Sequence, residues 1–200
     1  MKNTKIYALC DWQTLQNKNI SLKQYLKICS YYDIAYIQYR DKTSPIDIQK
    51  QNLQFLKQHT NIPIIINDKI ELLDLVDGLH LGQEDLDKLI IKNEKLKISK
   101  ELFFKIFKKQ YPNKIIGLST HNEIEILEAN NFPLDYIGLG AYRQTSTKDV
   151  TNILGDKISY LAKMSKHKVG AIGGVKVDDI IENITYNVIG SNLLELRIKS

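Results

Sequence analysis

Eight short runs rich in β-branched and aromatic residues recur along this chain, and most are followed by a more polar segment whose apolar residues fall at helical spacing. The runs cover residues 5–10, 34–40, 62–67, 78–81, 114–119, 134–139, 168–172 and 187–190. Helical spacing marks 22–29, 46–58, 103–110, 124–129, 158–164 and 177–181, with Ser21 and Asn122 placed as N-caps of the first and fourth of these. Strands separated by helices predict a parallel sheet, because parallel neighbours require a crossover connection. Eight such units close into a (β/α)8 TIM barrel, whereas the competing doubly wound open sheet more often has five or six strands. A chain of 200 residues suits a single domain spanning 1–200.

The net charge of +5 raises the question of nucleic acid. Much of the lysine lies in residues 88–114, where Leu102, Phe103, Ile106 and Phe107 recur at helical spacing, so the lysines read as the solvated face of an amphipathic helix. No aromatic-basic alternation accompanies them, and neither nucleic acid nor a membrane is expected as a partner. The apolar run before Trp12 is too short for a signal sequence and no run is long enough to span a bilayer, so a cytoplasmic location is expected. Cys10 and Cys29 lack metal-ligand spacing and are expected as small buried residues without a disulfide or zinc.

In a barrel of this kind, reactive groups come from the C-terminal ends of the strands, where this chain carries its unusual residues. Gln38, Arg40 and Lys42 alternate along extended backbone and point to one side, giving a guanidinium fork and a mobile ammonium suited to a diphosphate. The competing reading is a surface pair of Arg40 or Lys42 with Asp41. Asp68 and Asp85 follow neighbouring strands, so their carboxylates are expected to converge on Mg2+, with phosphate completing its shell; otherwise each caps the helical segment after it. Thr145, Ser146, Thr147 and Lys148 offer hydroxyls and an ammonium to a second anion. Gly173 and Gly174 leave backbone N–H groups open to phosphate, or form a plain turn. Ser191 adds a donor or caps a last helix. His121 suits proton transfer near neutral pH, and reads equally well as a polar surface residue, like His59 and His167.

Taken together, the segments QYRDK, INDK, GLHLGQED, GLSTHN, DYIGLGAYRQTSTK and AIGG resemble, in order and spacing, the thiamine-phosphate synthase and thiazole tautomerase superfamily. That resemblance implies a (β/α)8 barrel and a transferase coupling hydroxymethylpyrimidine diphosphate to thiazole phosphate, with Mg2+ on the departing pyrophosphate. It assigns Gln38, Arg40, Lys42, Asn67, Ser119 and Lys148 to the pyrimidine diphosphate. Asp68 and Asp85 fall to the metal, and Thr145, Thr147, Gly174 and Ser191 to the thiazole phosphate. Arg40, Lys42 and Lys148 are the implied charge-stabilising catalytic groups, in a dissociative reaction that needs no protein nucleophile. The implied partners are small phosphorylated pyrimidine and thiazole substrates, and the oligomeric state is left open.

The chain departs from the family pattern where Gly140-Ala141-Tyr142-Arg143 puts a cation near the second substrate, in residues 186–191 and in the lysine-rich 88–111. Two other functions compete. A tautomerase would use His121 and needs no metal carboxylates, and a non-catalytic binder of thiamine phosphate would keep the phosphate contacts alone.

Overall fold

The computed structural model describes residues 4–92, 98–144 and 152–195. Among them, eight strands close into a parallel barrel in sequence order: β1 (Lys5–Asp11), β2 (Ile34–Arg40), β3 (Ile64–Asn67), β4 (Gly78–Leu81), β5 (Ile115–Thr120), β6 (Tyr136–Gly140), β7 (Lys168–Ile172) and β8 (Tyr186–Ile189). The ring is sealed where Lys5 to Ala8 of β1 register with Tyr186 to Ile189 of β8. The expected strands are all present, within two residues at each end.

The helices outside are α1 (Trp12–Asn17), α2 (Leu22–Cys29), α3 (Ile46–His59), α4 (Gln83–Lys92), α5 (Lys100–Gln110), α6 (Glu123–Ala129), α7 (Lys157–Lys163) and α8 (Ser191–Glu195), with a 3-10 turn at Ile70–Leu75. Ser21 caps α2 in a reciprocal box with Gln24, and Asn122 caps α6 by accepting from Glu125 N at 2.9 Å, as the sequence indicates. In α5 the buried face is Phe103, Phe104 and Phe107, while Leu102 and Ile106 remain partly exposed. Its lysines are not all merely solvated. Lys108 pairs with Asp135 at 2.7 Å, and Lys100 lies 3.6 Å from both Asp87 and Glu128.

The expected helix at 177–181 does not form. Asp179 accepts from Lys176 N at 2.7 Å and binds Arg143, while Asn187 Nδ2 donates to the carbonyls of Lys176 and Asp179 at 3.3 and 2.8 Å. These partners, the local Lys176 N–H together with Arg143 and Asn187 from other segments, hold the β7–β8 connection as turns and offer its backbone an alternative to helical pairing. Conversely, α1 arises from a segment without a helical expectation, and α4 begins at Gln83, so Asp85 lies within its first turn instead of capping it. Asp11, the last residue of β1, caps α1 through Thr14 N at 2.9 Å.

Two cores result. Aliphatic residues and phenylalanines from the outer strand faces and the helices form the larger one, where Cys10 and Cys29 are buried. The barrel interior is smaller and rich in tyrosine: Tyr7, Tyr136 and Tyr186 pack with Ile65 and Val188, with Tyr36 against them. Ring centroids there lie 5.4–6.4 Å apart, mostly edge to face. Each phenol buried this way brings a hydroxyl that needs a partner.

Candidate active site

A pocket of about 750 Å³ opens at the C-terminal ends of the strands. Gln38, Arg40, Lys42, Asn67, Asp68, Asp85, Ser119, His121, Gly174 and Ser191 all line it, so the structure brings these sequence-selected residues together. Thr145, Thr147 and Lys148, with Ser146, lie outside the described residues. An adjoining cleft lined by Asp11, Thr14, Lys18, Arg40, Lys42 and Ser191 extends the pocket toward α1 and α8.

On β2, alternation places Gln38 and Arg40 toward the pocket, as expected. Gln38 is buried and donates to Asn67 Oδ1 at 2.6 Å. Arg40 does not pair with Asp41. Its guanidinium binds Asp11, a side chain for which the sequence reading had no role and whose cue was only its place at the end of β1. Asp41 turns inward instead, accepting from Thr43 N at 3.1 Å, Ser44 N at 3.0 Å and Tyr39 Oη at 3.0 Å. Burial opposes its ionisation, but the hydrogen bonds from Ser44, Thr43 and Tyr39 outweigh that and hold its carboxyl below the usual range. Lys42 is exposed beside the pocket, with no hydrogen bond or ion pair among the described residues.

Asp68 sits just past β3 in the left-handed region, at φ 61°. A short polar side chain tolerates that conformation, which here aims the carboxylate across to β4. It is not a cap for the following turn: Oδ1 accepts from Gly82 N at 3.0 Å and Oδ2 accepts from Asn67 Nδ2. Asp85, in the first turn of α4, faces the same spot. A Cβ on Gly82 would stand 3.2 Å from Asp85 Oδ2 and 3.9 Å from Asp68 Oδ1. Burial, with the charge of Asp85 adding to it, raises the pKa of Asp68 above the carboxylate norm. Two carboxylates at the mouth of a pocket, Asp85 with its other oxygen paired to Lys88 at 3.3 Å, are a donor set suited to a hard divalent cation with free positions for phosphate oxygens. The residues therefore fit Mg2+.

Gly173 and Gly174 both have positive φ, 86° and 62°. A side chain on Gly173 would meet Ala141 Cβ at 2.6 Å, and one on Gly174 would meet Gln144 O at 2.7 Å. Only glycine fits here, because the chain from Ala141 to Gln144 packs directly against both positions, a reason for glycine that a tight turn supplies by itself. Arg143, the cation that departs from the family pattern, is already engaged. It holds Asp179 through two bonds of 2.6 and 2.9 Å, donates to Gly174 O at 3.2 Å and stacks on Tyr142. Its charge is thereby matched, and it clamps the β6 loop to the glycine pair instead of supplying a free cation.

His121 lies on the rim with its Nδ1 2.9 Å from Glu125 Oε2, a contact within one helical turn. His80 carries more structure. Buried on β4, it bonds Ser119 Oγ through Nε2 and Tyr136 Oη through Nδ1, each at 2.9 Å, and burial pushes its pKa down to about 4. The sequence shows it only as one residue of a strand-end cluster.

Residues 6–193 match the family described as thiamine monophosphate synthase. The thiamine-phosphate synthase of Picrophilus torridus is 32% identical over 160 residues, covering 77% of this chain and 71% of that protein. That of Persephonella marina is 31% identical over 185 residues, covering 88% and 79%. Among solved structures, the thiamine phosphate pyrophosphorylase of Pyrococcus furiosus superposes with a TM-score of 0.66 at 21% identity, over 94% of this chain and 85% of that one. A chain of the tryptophan synthase complex from the same organism reaches a TM-score of 0.61 at 11% identity, over 96% and 89%, and shares the fold alone.

Proposed function

The chain belongs to the thiamine monophosphate synthase family, and on that premise we propose that it couples hydroxymethylpyrimidine diphosphate to thiazole phosphate, giving thiamine phosphate and pyrophosphate. The observation that carries the reading is the meeting, in one pocket, of the Arg40 and Lys42 cations with the Asp68 and Asp85 carboxylates, opposite the Gly173–Gly174 backbone. The whole chain, 1–200, serves as one cytoplasmic enzyme domain in this reading. Among the described residues, no helix is long and apolar enough to cross a membrane.

In the proposed reaction the bond between the pyrimidine methylene and the diphosphate oxygen breaks first, and the oxygen keeps the electron pair. The pyrimidine amino group supports the resulting cation, and the thiazole nitrogen lone pair then forms the new carbon–nitrogen bond. Charge develops on the departing diphosphate, which Arg40, held in place by Asp11, would meet with its planar fork and Lys42 with a mobile ammonium. Lys148 joins them in the sequence-based assignment. Asp68 and Asp85 would hold Mg2+, which supplies further neutralisation of the leaving group when bound. Gln38 and Asn67, locked to each other, would orient the pyrimidine, while Ser119 adds a hydroxyl. Gly174, Ser191, Thr145 and Thr147 would receive the thiazole phosphate, with Arg143 fixing the glycine loop rather than contacting the anion. Such fixed positioning of two substrates lowers the barrier without a protein nucleophile.

The test is to incubate the purified protein with both substrates and Mg2+ and to follow thiamine phosphate and pyrophosphate, with and without a chelator. Formation of both, abolished by the chelator, is the expected result. Well-folded protein that yields neither would overturn the assignment and direct attention to a tautomerase reaction at His121.

A further inference from the structure

A file of polar atoms runs from the pocket into the barrel interior. Ser119 Oγ, which lines the pocket, is 2.9 Å from His80 Nε2; His80 Nδ1 is 2.9 Å from Tyr136 Oη; and Tyr136 Oη is 2.7 Å from Tyr7 Oη. His80, Tyr136 and Tyr7 are 5%, 1% and 1% exposed, so water does not substitute for a missing partner at the inner end. Among the described residues Tyr136 supplies the hydrogen bond of Tyr7, and beyond it lie the rings and aliphatic groups of the interior.

Counting protons along this file fixes its direction. If Ser119 donated inward, His80 would carry its proton on Nδ1, Tyr136 would donate to Tyr7, and the Tyr7 proton would be left buried without an acceptor. An imidazolium fails in the same way, since it also donates from Nδ1 to Tyr136. In the opposite direction Tyr7 donates to Tyr136, Tyr136 donates to Nδ1, and Nε2–H donates to Ser119 Oγ. Every inner proton is then used. The remaining one is that of Ser119, directed into the pocket.

We propose that Tyr136, backed by Tyr7, is a positioning residue that holds His80 as the Nε2–H tautomer and so makes Ser119 a hydrogen-bond donor toward an acceptor atom of the pyrimidine substrate. The identity of that substrate rests on the proposed function; the direction of the file does not. The strands are built around this file. A Cβ on Gly117, which registers with Tyr136, would lie 2.1 Å from the Tyr136 Cζ, and one on Gly138 would lie 3.3 Å from His80 Cε1. Both rings occupy space that neighbouring strands give up by carrying glycine.

The direct test is long-range 1H–15N correlation NMR on protein labelled at histidine nitrogen, at pH 7.5, with the His80 signals identified by their loss in His80→Gln. Nδ1 is expected as the unprotonated, pyridine-like nitrogen and Nε2 as the protonated one; Nδ1–H or a doubly protonated ring would overturn the proposal. Tyr136→Phe is then expected to abolish the single tautomer and to raise KM for the pyrimidine diphosphate about five- to tenfold, the size of one lost hydrogen bond, with KM for thiazole phosphate and kcat nearly unchanged. An unchanged pyrimidine KM in folded Tyr136→Phe would refute the role assigned to Ser119. Should that variant fail to fold, the wild-type spectrum still decides. Because the spectrum involves no substrate, an Nε2–H ring in a protein that does not couple the two substrates would sink the proposed function and leave this inference standing.

Discussion

The two rims of the barrel use aspartate in opposite ways. At the N-terminal ends, Asp77 and Asp135 immediately precede β4 and β6, and each is fully matched. Asp77 accepts from Ile64 N at 2.7 Å and from Lys57 Nζ at 2.8 Å; Asp135 accepts from Ile116 N at 2.8 Å and from Lys108 Nζ at 2.7 Å. At the C-terminal ends, Asp68 and Asp85 face one another, and Lys42 stands beside the pocket without an ion pair among the described residues. One rim spends its charges on holding strand register. The other also pairs some of its charges, Arg40 with Asp11 and Asp85 with Lys88 at 3.3 Å, but it keeps Lys42 without an ion pair among the described residues and holds the buried Asp68 beside Asp85. In the proposed function a phosphorylated ligand and a cation complete that set.

This contrast gives the expected effects their order. Removing the unpaired cation is the most damaging to chemistry: Lys42→Ala should lower the coupling rate by about 10²–10³-fold, as loss of a charge-stabilising donor does, while thermal unfolding is unchanged. An equal loss of stability would show that Lys42 belongs to the structural rim's logic.

Below that comes pH. His80 is buried neutral, so between its usual pKa near 6.5 and its depressed value of about 4 the unfolded chain binds a proton that the folded chain does not. Stability is therefore full above about pH 6.5 and falls as pH drops toward 4, by roughly 3 kcal/mol at the lower end. Denaturant melts of wild type and His80→Gln across this range should show the extra acid sensitivity only in wild type; parallel curves would contradict it.

Asp77→Ala should cost about 2 kcal/mol, because it leaves the Ile64 N–H without its acceptor and Lys57 without its partner, and kcat should not change. The smallest effect is expected for Arg143→Met. Its partly exposed pair with Asp179 is worth less than about 1 kcal/mol by chemical denaturation, yet the glycine loop it clamps should loosen and raise KM for thiazole phosphate rather than for the pyrimidine. A change confined to the pyrimidine KM would refute the clamp.

What the sequence revealed follows from which interactions are local. Strand cores such as Ile64 to Ile66 and the polar residues that follow them are adjacent in the chain, so both the barrel and the convergence of Gln38, Arg40, Asp68 and Asp85 are readable from order alone. Interactions between distant segments are not. Arg40 meets Asp11 rather than its neighbour Asp41, and Asp179 is drawn off by Arg143, 36 residues away, where its surroundings suggest a helix. The tyrosine interior escaped notice for a related reason. In a strand a tyrosine looks the same whether it faces the helices or the barrel axis, and only the register of Gly117 opposite Tyr136 shows where the ring has room.

The most direct test of the division between the rims is the dependence of the coupling rate on Mg2+ concentration in wild type, Asp68→Asn and Asp85→Asn. The expected result is saturable activation in wild type and loss of that activation in both variants, each of them still folded. Unaltered magnesium activation in either variant would contradict it.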